Sequence, residues 1–204
     1  MSQPDLLIAT TNAGKLREYR AAFEALPVRL LSLHDVGLAT MDVEETGTTF
    51  EENARLKAVA YGEASGLPVI AEDAGLEVDA LDGFPGVYSA RWAGAVSAAE
   101  RNEALLARLA HVPWPQRTAR FVAVAVLRLP DGDCWSARGE VEGRILFAPR
   151  GEGGFGYDPI FYVPEKGRSM AELSREEKNA LSHRGRAARA LRDVILQLVE
   201  AGRL

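Results

Sequence analysis

The chain has 204 residues, is 47% hydrophobic and 26% charged, and carries a formal net charge of -5. That supplies enough apolar surface for a real core, while the negative balance weighs against duplex nucleic acid as the main partner. No stretch approaches the roughly 20 apolar residues needed to span a bilayer, and the single cysteine, Cys134, excludes an internal disulfide and a zinc site built on several cysteines. Met1-Ser2-Gln3-Pro4-Asp5 has neither the basic nor the apolar region of a secretory signal, so the expected setting is the cytoplasm.

Asp5–Ala9 is a short apolar run ending in Thr-Thr-Asn-Ala-Gly, the pattern of a strand entering a loop. Lys15–Leu26 places Leu16, Tyr19, Ala22, Phe23 and Leu26 at helical spacing. Val28–Leu33 reads as a second strand. Thr49 and Glu52 have capping-box spacing, which opens a helix to about Glu63. Pro68–Ala71 and Leu76–Val78 are short strands on either side of Glu72-Asp73-Ala74-Gly75. Ser97 with Glu100 opens a helix to about Ala110. Ala119–Leu129 is the strongest strand in the chain, and Cys134–Val141 can pair with it across Pro130-Asp131-Gly132-Asp133. Ser174 with Glu177 caps a short helix, and Arg186–Glu200 forms a C-terminal helix with Ala187, Leu191, Ile195 and Leu198 on its apolar side. The alternation predicts an α/β fold, a curved mixed sheet with helices outside and a cleft, in one domain over 1–204.

Four segments carry chemistry. At Thr10-Thr11-Asn12-Ala13-Gly14-Lys15 a strand, a turn of small residues and a helix start bring backbone N–H groups, the helix dipole and a lysine together, which suits a triphosphate. The spacing is not that of a Walker A loop, and an ordinary strand-to-helix turn has the same pattern. Glu44-Glu45 precedes a glycine turn, and Glu72-Asp73 interrupts an apolar stretch, which puts these carboxylates at a strand end. Magnesium takes oxygen ligands, often one or two carboxylates plus substrate phosphates, and a neighbouring carboxylate can accept a proton from water. Solvated acidic turns look the same. Lys57, on the helix between, faces either the phosphates or solvent. Gly151-Glu152-Gly153-Gly154-Phe155-Gly156-Tyr157-Asp158-Pro159 lets backbone approach a flat ligand, with Phe155 stacking on a base and Asp158 hydrogen bonding. The alternative is a flexible loop with a buried aromatic anchor. Lys178, His183 and Arg184 gather donors near a helix end, where they suit a phosphate and a base edge or simply cap the helix. His34 and His111 read as structural or surface residues.

Taken in order, these segments resemble the inosine/xanthosine triphosphate pyrophosphatase family from Leu6 to the C-terminal helix. The signals are the Ala9–Lys15 loop, Glu44-Glu45-Thr46-Gly47-Thr48-Thr49-Phe50, Glu72-Asp73-Ala74-Gly75-Leu76, Pro85-Gly86-Val87-Tyr88-Ser89-Ala90-Arg91, Gly153–Pro159 and Glu177–Arg184. The resemblance implies a homodimer of elongated α/β subunits, each with two lobes and a central active-site cleft. It implies magnesium-dependent cleavage of aberrant purine nucleoside triphosphates to the monophosphate and pyrophosphate. Carried over, the first loop holds phosphates through Thr10, Asn12 and Lys15, and Asp73 is general base and metal ligand. Glu45 is the second metal ligand, chosen over Glu44 by its distance from Lys57, with Glu72 assisting. Phe155, Gly156, Tyr157 and Asp158 form the base pocket with Lys178, His183 and Arg184. Three positions depart from the family pattern. Thr11 stands where glycine is common, Glu72 replaces a frequent aspartate, and Ala74 lacks the hydroxyl that often contacts substrate. Two rival readings fit the phosphate loop: a pyrophosphatase for other modified bases, such as methylated pyrimidines, and a nucleotide-binding regulator without turnover. The paired carboxylates favour catalysis, because a pure binder gains little from negative charge beside a triphosphate unless a metal is present.

Overall fold

A computed structural model describes residues 3–94 and 96–204. Strand β1 (Asp5–Ala9) buries four consecutive residues, the signature of a strand covered on both faces. It pairs in parallel with β2 (Arg29–Ser32), Ile8 opposite Ser32, and with β3 (Val69–Val78), Ile8 opposite Ile70. Between them lie helices α1 (Ala13–Ala22) and α2 (Phe50–Ser65). α1 stops short of the expected Leu26. Leu26 precedes Pro27, which disfavours helical backbone there, and Phe23 and Leu26 stay buried in the turn that follows. α2 opens on the Thr49–Glu52 capping box and closes at Gly66 with φ 68°.

The largest correction to the expected elements is β3. It runs unbroken through Glu72–Gly75, so the two carboxylates sit inside a strand rather than at a strand end. Helix α3 (Ala98–Arg108) follows, with its own capping box from Ser97 and Glu100. β4 (Thr118–Arg128) and β5 (Cys134–Ile145) are the long strands, and β5 extends past the expected Val141. Two short strands escaped the pattern, β6 (Phe161–Val163) and β7 (Arg168–Ser169), because runs this short carry no readable alternation. They pair antiparallel, Arg144 of β5 opposite Tyr162 and Tyr162 opposite Ser169. Helices α4 (Arg175–Leu181) and α5 (His183–Glu200) end the chain. The result is a mixed seven-stranded sheet in the order β2-β1-β3-β4-β5-β6-β7, as the α/β reading expects.

The chain divides into two compact units. The first comprises the chain up to Asp73, Ala123–Gly139 and His183–Leu204. Its core packs Leu7, Ala54, Ala58, Val69 and Val126. The second comprises Ala74–Val122 and Glu140–Ser182, with a core of Leu76, Leu105, Phe121, Ile160 and Phe161. Among the described residues no helix is long and apolar enough to cross a membrane.

Candidate functional site

In the first unit, Asn12 caps α1. Its side-chain oxygen accepts from the N–H groups of Gly14 (2.8 Å) and Lys15 (3.1 Å), and Thr10 Oγ1 accepts from Asn12 N at 3.2 Å. Two of the N–H groups expected to face phosphate are therefore turned onto Asn12, an ordinary solution to the unsatisfied donors of a helix start. Thr11 and Ala13 are exposed. Lys15 Nζ lies 3.2 Å from Glu72 Oε1.

Glu72 and Asp73 are neighbours in β3, and successive side chains of a strand point to opposite faces. Their partners follow that division. Glu72, 5% exposed, meets α1 and α5: Arg184 donates Nε to Oε2 and Nη2 to Oε1, both at 2.7 Å, and Tyr19 Oη donates to Oε2 at 2.7 Å. Arg184 is itself buried and donates Nη1 to Glu18 at 2.5 Å. Burial pushes the Glu72 carboxyl up, but Arg184 and Lys15 outweigh it and hold the group well below the usual carboxylate range. Burial likewise pulls the Lys15 ammonium down, against the opposing pull of Glu72.

Asp73 meets α2. Asn53 Nδ2 donates to Oδ2 at 3.2 Å, and Lys57 Nζ lies 3.4 Å from Oδ1. The same ammonium lies 2.6 Å from Glu45 Oε1, so Lys57 bridges Glu45 and Asp73. Burial raises the Asp73 carboxyl above its ordinary value; Lys57 opposes the rise and Glu45 adds to it. Glu44 is exposed. Among the described residues no group of three or more His, Cys, Asp or Glu side chains is arranged to hold a metal.

In the second unit, Asp158 and Lys178 form a buried ion pair at 2.7 Å. The same Asp158 oxygen accepts from Phe155 N at 2.7 Å, and the Lys178 ammonium sits 4.4 Å from the centre of the Phe155 ring. Gly154 makes this loop possible: its φ is +75°, and a Cβ there would overlap the Asp158 carboxylate. Gly156 O accepts from Asn102 Nδ2 at 3.1 Å. Tyr157 is anchored, receiving the Trp92 indole N–H and donating to Ser89 O, both at 2.7 Å. Ala74, half-buried, opens this unit. His183 and Arg184, expected beside Phe155, belong to the first unit at the start of α5, where both are buried. His34 and His111 are exposed.

Sequence reading missed Tyr19 and Asn53. Asn53 is fully buried, four residues before Lys57 and so on the same helix face; that alignment with the lysine was the available signal. Its amide orientation is set from behind, because Oδ1 accepts from Gly47 N at 2.8 Å and Nδ2 is thereby left to donate to Asp73. Gly47 must lack a side chain, since a Cβ would lie 2.7 Å from Asn53 Oδ1 and 2.6 Å from Glu52 Cβ. Asn53→Ala strands both partners and is expected to cost about 1–3 kcal/mol of stability in urea unfolding. A loss below about 0.5 kcal/mol, the range of an ordinary surface change, would show that the clamp holds nothing in place.

Fold and site together define an α/β enzyme in which each buried carboxylate of β3 is held against cations. The chain belongs to the Ham1 family, whose model matches residues 6–194. It is 54% identical over 186 residues to a dITP/XTP pyrophosphatase of Thermus thermophilus, covering 91% of this chain and 89% of that protein. It is 50% identical over 202 residues to a dITP/XTP pyrophosphatase of Symbiobacterium thermophilum, covering 99% and 100%. The solved HAM1 protein of Coxiella burnetii superposes with a TM-score of 0.87 at 39% identity, covering 96% of this chain and 100% of the other.

Proposed function

We propose that this chain hydrolyses dITP, ITP and XTP to the monophosphate and pyrophosphate and so clears aberrant purines from the nucleotide pool. The observation that carries the reading is the Glu45–Lys57–Asp73 cluster in the same unit as the Lys15 loop, in a member of the Ham1 family.

Magnesium commonly binds one or two carboxylates and completes its shell with water and substrate phosphates. Glu45 and Asp73 already hold a cation between them, the Lys57 ammonium, so this donor set fits the metal and these two residues would hold it. When bound, magnesium supplies charge neutralisation and polarises phosphate oxygens. Glu72 stands outside the metal set in this reading, because its oxygens are shared among Arg184, Tyr19 and Lys15. Its part is to hold the Lys15 ammonium at the phosphate loop. Asp73 takes a proton from water as the water oxygen bonds to the α-phosphorus and the α–β anhydride bond breaks. Lys15 and Lys57 balance the charge of the departing pyrophosphate. Phe155–Asp158 with Lys178 and Ala74, all of the second unit, take the base; His183 and Arg184 keep the donor role that the family resemblance gives them. In this reading Phe155 is the ring on which the base stacks. The homodimer and the cytoplasmic setting belong to the same proposal; sedimentation of the purified chain tests the first.

Chromatography of an inosine triphosphate digest tests the reaction. Equal amounts of monophosphate and pyrophosphate are expected, with no diphosphate at any time point. Diphosphate with orthophosphate would place the attack at another phosphorus and end this reading.

A further inference from the structure

Lys57 stands where a cation is needed. Its ammonium touches Glu45 at 2.6 Å and Asp73 at 3.4 Å, and its side chain is 13% exposed. Asp73 is nearly buried and Glu45 half-buried. Two carboxylates drawn together out of water repel one another and need a counter-charge. Lys57 supplies it from α2, and the Asn53–Gly47 clamp holds Asp73 in place from the same helix. A divalent cation competes with the ammonium for these carboxylate oxygens, since like charges at such distances repel.

Resting on the metal-site reading above, we infer that Lys57 is a placeholder cation, which keeps free magnesium off the Glu45–Asp73 pair until a triphosphate arrives to receive the displaced ammonium. The form that binds is then the magnesium–nucleotide complex, not the nucleotide followed by metal or the reverse. A lysine suits this exchange. Its charge sits on a flexible four-carbon stem, and the phosphates it turns to carry the negative charge that it leaves behind. An arginine forked across the two carboxylates would give them up less readily.

The test is metal binding to the full chain without nucleotide, read by calorimetry with magnesium and by the spin-resonance signal of manganese. Wild type is expected to bind weakly. Lys57→Met is expected to bind at least about 10-fold more tightly, because the metal no longer competes with an ammonium for the two carboxylates. Lys57→Arg, which keeps a cation in place, is expected to bind no more tightly than wild type. It also serves if the methionine variant proves poorly folded by circular dichroism, since tighter binding by the arginine variant would overturn the inference. So would equal affinity of wild type and a folded Lys57→Met, while leaving the metal site itself intact. Absence of binding in every form, with pyrophosphate added as well, would overturn the metal-site reading and this inference with it. Adding Glu45→Gln to Lys57→Met is expected to abolish the gain; a gain that persists would locate the metal elsewhere.

Discussion

Inosine triphosphate is expected to exceed adenosine triphosphate in kcat/KM by about 10,000-fold, the scale on which a site built for one hydrogen-bonding pattern rejects the opposite one. Hypoxanthine and xanthine present an oxo acceptor at the six position, and adenine presents an amino donor. The groups proposed for the base bear donors: Lys178 in the second unit, and His183 and Arg184, by the family resemblance, in the first. Asp158, the carboxylate nearest that loop, is already occupied by Lys178 and by Phe155 N, so it offers adenine little in exchange. An adenine amino group would face donors and leave buried polar groups unpaired, which is costly. Guanine shares the oxo group, so its rejection falls to the two-position edge, which the Phe155–Asp158 loop is expected to shape. The measurement compares inosine, xanthosine, guanosine and adenosine triphosphates at saturating magnesium. Equal efficiency on all four would leave a general nucleotide pyrophosphatase, and a preference confined to pyrimidines would favour the rival enzyme.

Asp73→Asn is expected to lower kcat by about 100-fold or more, the contribution of a positioned general base. The change removes the proton acceptor and one charged metal ligand while hardly altering volume. It also reverses a hydrogen bond. Asn53 Nδ2 and Lys57 Nζ both point donors at Asp73, and a carboxamide can offer its oxygen to only one of them. The loss should therefore exceed what removal of charge alone would give, and some of it should appear as weaker metal dependence. A carboxamide has nearly the volume of the carboxylate it replaces, so the fold should persist by circular dichroism. Near-normal turnover in a folded variant would move the base elsewhere. Glu72 would be a poor replacement, because Arg184 and Lys15 hold it firmly ionised and fully engaged.

The elements legible in the chain were those whose signals lie among near neighbours. The capping boxes at Thr49–Glu52, Ser97–Glu100 and Ser174–Glu177 each start a helix where expected, because a cap is a bond between residues three apart. β1 and β4 declared themselves by unbroken apolar runs. The residue types of the candidate site were legible too: a lysine at a helix start, acids in an apolar stretch, glycines around Phe155. What the chain could not disclose was the company these residues keep. Glu72 reads as an acid that should break a strand, yet it lies inside one because Arg184, 112 residues away, neutralises it. Nor does the written pair Glu72-Asp73 act as one pincer, since the strand sends one toward α1 and α5 and the other toward α2. Tyr19 read only as an apolar position of α1, and Asn53 gave no reading at all, until the fold set them against the two carboxylates. Local propensity is written in the chain a few residues at a time, whereas the cost of burying a charge is met only by partners the tertiary structure brings in from far along it.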